Sequence, residues 1–565
     1  MKKILLLLIL ITQSKSFSQE PSIQLAAKIG AIGYDSAKDL KIDDNNNLYL
    51  TGGFQSSVDF DFSSNTFFMN GVSSSDAFLT KYNNNGDLLW GVNFSGNYNS
   101  CGLGIGVDSI GNVYSMGVFN DTVDFDPGPG TYNMSASLNP FVVSDIYITK
   151  LDSNGNFNSA HQISGVKVKD PTAFCVEANG NSIVAGYFNG VTNFSAATAL
   201  YPTGSANYVY DMFIAKYGNS GLLWVKQIGS AAINQRPEDI VTDLNGNIYL
   251  CGQFLEVTDF DPSPTGTSIL TPHSLGSTDI FVLKLDANGN FIWAKNCGGS
   301  APNSARSIAL DQSGNLYLTG YFTGTIDFDP SPFDYLVTSP SGSGYNTFVL
   351  KINNAGDFQW AKNFSGNSMG NKLIINPNGK IVVTGFFNNT CDFSGGLGNV
   401  VRTTTGRMES FLAELNSDGT TNWVKCFGGT GDDQGIDIGI NSLGNYTLFG
   451  EFEVTANTTA PDNFTLTSNG STDLFILKTE NLLNIGNFEK QNFSISPNPC
   501  DNIINIIKTQ DYDAGDLFIY SITGQLIKKI EISNTIEIKE LTAGLYFLKL
   551  VNTLGNYKLI KFTKK

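Results

Sequence analysis

The chain has 565 residues, a formal net charge of −17, 41% apolar residues, 59 glycines and only 15% charged residues. That length exceeds one ordinary compact core unless the architecture repeats, and that apolar content excludes a largely disordered chain. The acidity argues against nucleic acid or an anionic membrane as a partner. The chain opens with Lys2 and Lys3, an apolar run from Ile4 to Ile11, and the small residues Ser16 and Ser18. This pattern predicts a secretory signal peptide over residues 1–18, too short to span a bilayer as a mature helix. No later apolar run is long enough to suggest a transmembrane segment.

From there to about residue 480 the chain repeats itself. A turn word, "SIALDQSGNLYLTGYF" in its clearest copy, carries an acid or amide at Asp43, Asp108, Glu177, Asp243, Asp311, Asn376 and Asn441, spaced 65 to 69 residues apart. Nine residues beyond each stands a glycine (Gly52, Gly117, Gly186, Gly252, Gly320, Gly385, Gly450), and eleven beyond a phenylalanine, from Phe54 to Phe452. A second word, "DIFVLKLDANGNFIWAKN", brings a lysine at Lys81, Lys150, Lys216, Lys284, Lys351 and Lys478, with Glu414 in the sixth copy. Its second half holds all five tryptophans. Asp or Asn followed by Gly-Asn is hairpin chemistry, because the side chain caps backbone N–H groups and glycine takes a positive φ. Two hairpins per copy give four strands, and seven copies predict an all-β, seven-bladed β-propeller over 19–485. The repeat phenylalanines and the tryptophans are then expected to fill the gaps between blades. The seventh copy lacks a fourth strand, and Ser22 to Gly30 resembles one. The N-terminal strand is therefore expected to close the last blade. Period, copy number and wording resemble the SBBP family of secreted β-propeller repeat proteins, a resemblance that implies a fold and no single activity.

The connection after each second strand is long and varied, and its start carries paired carboxylates around a phenylalanine: Asp59/Asp61, Asp124/Asp126, Asp259/Asp261 and Asp327/Asp329. One reading is a calcium site at each pair; two alternate carboxylates begin, but do not complete, the six to eight oxygens calcium takes. The other reading is a packed phenylalanine with Asp-capped turns, since the phenylalanine persists in six copies while the carboxylates decay. Beyond calcium, no cofactor is expected. The seven cysteines follow no paired framework and read as small apolar residues. With two histidines, His161 and His273, in unrelated positions, a His-based zinc site or a Ser–His–Asp triad is not expected.

At Phe493 the language changes. Residues 493–565 hold nine lysines and seven acids. Removing these and the three leader lysines from the chain's 34 basic and 51 acidic residues leaves 22 and 44, a net of −22 for 19–492. Alternating strands predict a small β-sandwich at 493–565 after a linker at 486–492. Pro497-Asn498-Pro499, Tyr520 to Gly524, Leu541 to Tyr546 and the terminal Lys561 to Lys565 resemble the type A sorting domain of the type IX secretion system. That resemblance implies recognition by the type IX machinery and passage through the periplasm of a Gram-negative bacterium. It also implies release from, or attachment to, the outer cell surface. Together these features suggest a non-catalytic exported propeller that binds a glycan, a protein or matrix. The alternatives are a polysaccharide hydrolase or lyase, with the unrepeated acids Glu238, Glu256 or Glu453 as candidates, and a structural surface protein. An acid at one blade facing the axis would favour the enzyme; an aromatic platform on the face of the long connections would favour the glycan binder.

Overall fold

The computed structural model describes residues 20–136, 144–203, 209–229, 235–340, 344–395, 399–458, 462–480, 493–508, 515–521, 526–531, 533–552 and 557–565. The expected signal peptide and the 486–492 linker lie outside them. The described residues are all β, without a helix, and the chain falls into two compact units that divide between Leu482 and Leu483.

In the larger unit each repeat contributes four strands paired antiparallel in chain order, and the hairpin of the following repeat extends the second, fourth and sixth sheets to six strands. In the fifth, the strands are Asn303–Leu310, Leu316–Phe322, Asn346–Ile352 and Phe358–Asn363. Seven sheets follow this plan. The seventh takes its fourth strand from the start of the chain: Ser22–Ile29 pairs antiparallel with Asp473–Glu480, with Ala26 opposite Leu477. The first strands neighbour one another in a closed cycle, so that Ser36–Ile42 lies between Ser100–Val107 and Gln434–Ile440.

The turn words act as their chemistry requires. Asp311 Oδ1 accepts the N–H groups of Ser313 and Asn315 at 2.9 Å each, and Gly314 sits at φ +77°. The glycine found seven times out of seven has a separate cause. Every first strand shifts register at one equivalent step, Ala305 to Ser307 in the fifth sheet and Ala37 to Asp39 in the first. This bulge faces the second-strand glycine, where a Cβ would stand 1.9–2.2 Å from the carbonyl oxygen of the opposing strand in all seven sheets.

Between sheets, the seven repeat phenylalanines, Phe54 to Phe452, are fully buried. Four of the tryptophans are only half-buried, against the expectation that they fill the gaps as the phenylalanines do; Trp423 alone is buried. For two of them the reason is polar: Trp90 Nε1 donates to the Ser153 carbonyl (3.1 Å) and Trp293 Nε1 to that of Asn354 (3.3 Å), each in the next sheet's outer turn, so the indole edge stays at the surface. The repeat lysine reaches the same turns. Lys81 Nζ donates to Ser153 O (2.9 Å), Lys150 to Asn219 Oδ1 (2.8 Å), Lys284 to Asn354 Oδ1 (2.5 Å), and Lys478 of the seventh sheet to Asn84 of the first. In the sixth sheet Glu414 instead accepts the Tyr446 hydroxyl at 2.6 Å. All seven cysteines are free.

The smaller unit has a three-stranded sheet, Phe493–Ser496, Ile503–Lys508 and Thr535–Glu537. Its four-stranded sheet comprises Leu526–Glu531, Gly515–Ser521, Gly544–Asn552 and Tyr557–Lys564. Ile504, Ile506 and Ile536 from one sheet and Leu517, Ile519, Leu548 and Phe562 from the other bury in one apolar cluster.

Candidate binding face and axial cavity

The paired carboxylates begin small hairpins, a feature the sequence reading missed. Thr325–Asp327 pairs with Leu336–Thr338, and the same arrangement recurs after Asp59, Asp124 and Asp259. Asp327 Oδ1 accepts N–H groups from Asp329 (3.0 Å) and Tyr335 (2.8 Å), closing the hairpin loop, while Asp329 Oδ1 accepts Ser331 N–H (2.9 Å). Asp59, Asp124 and Asp259 bind the N–H two residues on and one from the returning strand in the same way. Asp61, Asp126 and Asp261 likewise cap the N–H two residues on. Phe60, Phe125, Phe260 and Phe328 between them are fully buried. Among the described residues no group of three or more His, Cys, Asp or Glu side chains is placed to hold a metal ion. The hairpins also bind sheets together: Gly298 of the fourth sheet pairs with Asp327 of the fifth, and a Cβ on Gly299 would meet Thr325 O at 2.0 Å.

The first strands enclose a cavity of about 760 Å³. At one equivalent position, just after the bulge, the seven sheets carry Asp39, Gly104, Ala173, Asp239, Ser307, Lys372 and Asp437. Three of these carboxylates tie neighbouring sheets: Asp39 accepts Ile105 N–H (2.6 Å), Asp239 accepts Ile308 N–H (3.0 Å), and Asp437 accepts Leu40 N–H (2.8 Å). Lys372 Nζ lies 3.1 Å from Asp239. Burial disfavours the charge on Lys372, but Asp239, Asp437 and Asp39 outweigh it and hold its pKa above the usual lysine value. Burial pushes the Asp437 carboxyl well up, and Asp39, to which it hydrogen-bonds, adds to the shift while Lys372 opposes it. Three carboxylates share this ring with one lysine, and each carboxylate is committed to a contact between sheets.

The mouth on the side of the long connections is different. Glu238, one of the three unrepeated acids, lines the cavity; Glu256 and Glu453 do not. Arg236 Nε pairs with Glu238 Oε1 at 3.0 Å, yet the arginine side chain is 46% exposed. Burial raises the Glu238 pKa, and Arg236 and Arg306 hold that rise back. The Arg236 guanidinium stands 5.9 Å from the Tyr187 ring centre, and that of Arg306 stands 5.9 Å from Tyr321. Each tyrosine packs edge to face with a second one across its long connection, Tyr187 with Tyr210 at 5.3 Å and Tyr321 with Tyr345 at 4.7 Å. The Tyr187 hydroxyl donates to Asp170 at 2.7 Å. At the Tyr187 and Tyr321 position the other sheets carry Gly53, Val118, Gln253, Phe386 and Glu451. Two of the chain's four arginines meet here. The signal was available in the sequence as residues that break the repeat, and only comparison of equivalent positions exposes it.

Residues 223–253 match the β-propeller repeat family SBBP, and residues 494–563 match the secretion system C-terminal sorting domain family. The chain is 21% identical over 532 residues to an uncharacterized WD repeat-containing protein, L264, of Acanthamoeba polyphaga mimivirus, covering 81% of this chain and 38% of that protein. It is 23% identical to the regulatory protein FlaEY of Caulobacter vibrioides, over 52% of this chain and 32% of that one. The chain thus spans about a third of the length of the curated relatives it matches. Among solved structures, a virginiamycin B lyase from Staphylococcus aureus matches 80% of this chain and 99% of its own, at 8% identity and a TM-score of 0.35. No helix among the described residues is long and apolar enough to cross a membrane.

Proposed function

We propose that this chain is an exported, seven-bladed β-propeller that binds a glycan without transforming it, at the mouth of its axial cavity. Residues 19–485 form the propeller, and 493–565 form a β-sandwich that presents the protein to the type IX secretion machinery of a Gram-negative bacterium. The mature propeller is released or held at the outer cell surface. The observation that carries the proposal is the break in seven-fold likeness at the mouth: two tyrosine pairs and two arginines, in the third to fifth sheets, on a scaffold whose other repeated features serve internal contacts. Elaborated positions on a rigid scaffold are where recognition concentrates, and tyrosine offers a sugar both a ring face and a hydroxyl. A glycan array probed with the full chain tests it: retained carbohydrate, lost in Tyr345→Ala, supports the proposal, and retention of none contradicts it. Truncation at Lys490 should trap a folded propeller in the periplasm; normal surface display of that form would refute the sorting role.

A second reading has one specific support. Glu238 is an acid at one blade only, lines the cavity, and has its pKa raised by burial. If it acts as a general acid on polysaccharide, turnover should be measurable and should vanish in Glu238→Gln while binding persists.

A further inference from the structure

The chemistry of the mouth says more about the ligand than that it is a sugar. Carbohydrate platforms need aromatic faces, which Tyr187, Tyr210, Tyr321 and Tyr345 supply; they do not need guanidinium groups. Two arginines are present nevertheless, in a main domain with a net charge of −22 and only four arginines in the whole chain. Arg236 pairs with Glu238, and Glu238 lines the cavity together with Arg306, so the two arginines flank one patch. Arg236 spends one N–H on Glu238. Arg306 has a 3.5 Å contact to Asn371 Oδ1 and is exposed, with its guanidinium lying over Tyr321. A guanidinium fork within cation–π range of a tyrosine is drawn toward the ring while its outer N–H groups remain available to water or ligand. Such a fork is complementary to a carboxylate, which it can grip through two parallel hydrogen bonds.

We propose that the mouth selects an oligosaccharide containing a uronic acid, with the sugar carboxylate on Arg306 and Arg236 and the ring faces on the tyrosine pairs. A uronate unites the two features the site offers, because the carboxylate is carried on the same ring that stacks. A neutral sugar would leave the arginines unused. An acidic peptide would use the arginines without needing two tyrosine pairs. This inference rests on the glycan-binding reading of the mouth.

The test is isothermal titration of the full chain with trigalacturonate, trimannuronate and a hyaluronate tetrasaccharide, against maltotriose and a tri-aspartate peptide as controls. At least one uronate should bind, and its Kd should rise about tenfold or more in Arg306→Gln, the loss expected for one charge-assisted contact. Tyr345→Ala should also weaken it. Thermal melts of both variants should match the parent, since both side chains are exposed. Equal binding of maltotriose and the uronates would overturn the carboxylate assignment and leave the glycan reading intact. Binding of the peptide alone, or of nothing in the set with glycan-array retention also absent, would overturn both. Undiminished uronate binding by Arg306→Gln would overturn the assignment of the site.

Discussion

Replacing Phe328 by alanine separates the two readings of the paired carboxylates. Phe328 is fully buried, 5.7 Å from the Phe322 ring and 5.1 Å from Phe348, between the hairpin and its sheet. Truncating such a ring removes its transfer energy and leaves a cavity beside two aromatic rings whose backbone is fixed by strands, so Phe328→Ala should cost about 3–5 kcal/mol. Asp327→Asn is the contrasting change. Asp327 receives both of its hydrogen bonds, from Asp329 and Tyr335, on Oδ1, and an asparagine oxygen can accept the same pair. Only the charge assistance is lost, so the cost should be about 1 kcal/mol or less. Urea unfolding followed on the transition of the larger unit, with calcium and with chelator, measures both. A cost for Asp327→Asn equal to that of Phe328→Ala would refute the packing account. So would a melting temperature that climbs with calcium and ceases to do so when Asp59, Asp124, Asp259 and Asp327 are all changed to asparagine, because bound cation stabilises by mass action.

Gly320→Ala should destabilise by about 1–3 kcal/mol, since its Cβ would meet backbone, Ser304 O at 2.0 Å, whereas Gly128→Ala meets only the Asp126 side chain and should stay within about 0.5 kcal/mol; chemical denaturation compares them. Deleting residues 19–30 removes the strand paired with Asp473–Glu480 and should lower the melting temperature of the whole larger unit, while an unchanged calorimetric transition would contradict closure from the N-terminus. Burial raises the pKa of Asp433 to about 7 from an unfolded value near 3.8. The folded state therefore holds a proton that the unfolded state releases, so this group's stabilisation is complete below pH 4 and is lost as pH rises through 7. Melting temperature should fall over that interval, less steeply in Asp433→Asn.

The repeat was legible because its local chemistry is local: Asp311 and Gly314 build their turn from neighbours in sequence, and seven copies make the pattern visible. The glycine at position 320 was equally visible, but its cause was not, because the bulge lies in another strand and depends on pairing register. Trp90 read as core because an indole is mostly apolar; its N–H bond to a turn 63 residues away decided otherwise. The mouth was hidden for a further reason. Arg236, Tyr187 and Tyr321 lie in different repeats, and only the closed cycle of first strands brings their positions to one patch.

The most direct test of the central claim is hydrogen–deuterium exchange on the full chain with and without a carbohydrate retained on the array. Binding at the mouth predicts protection in peptides covering 182–188, 209–212, 235–242, 303–310 and 344–347, with the turns at Asp43, Asp108 and Asp243 unchanged. Protection confined to those turns, or to the hairpins after Asp59 and Asp124, would contradict it.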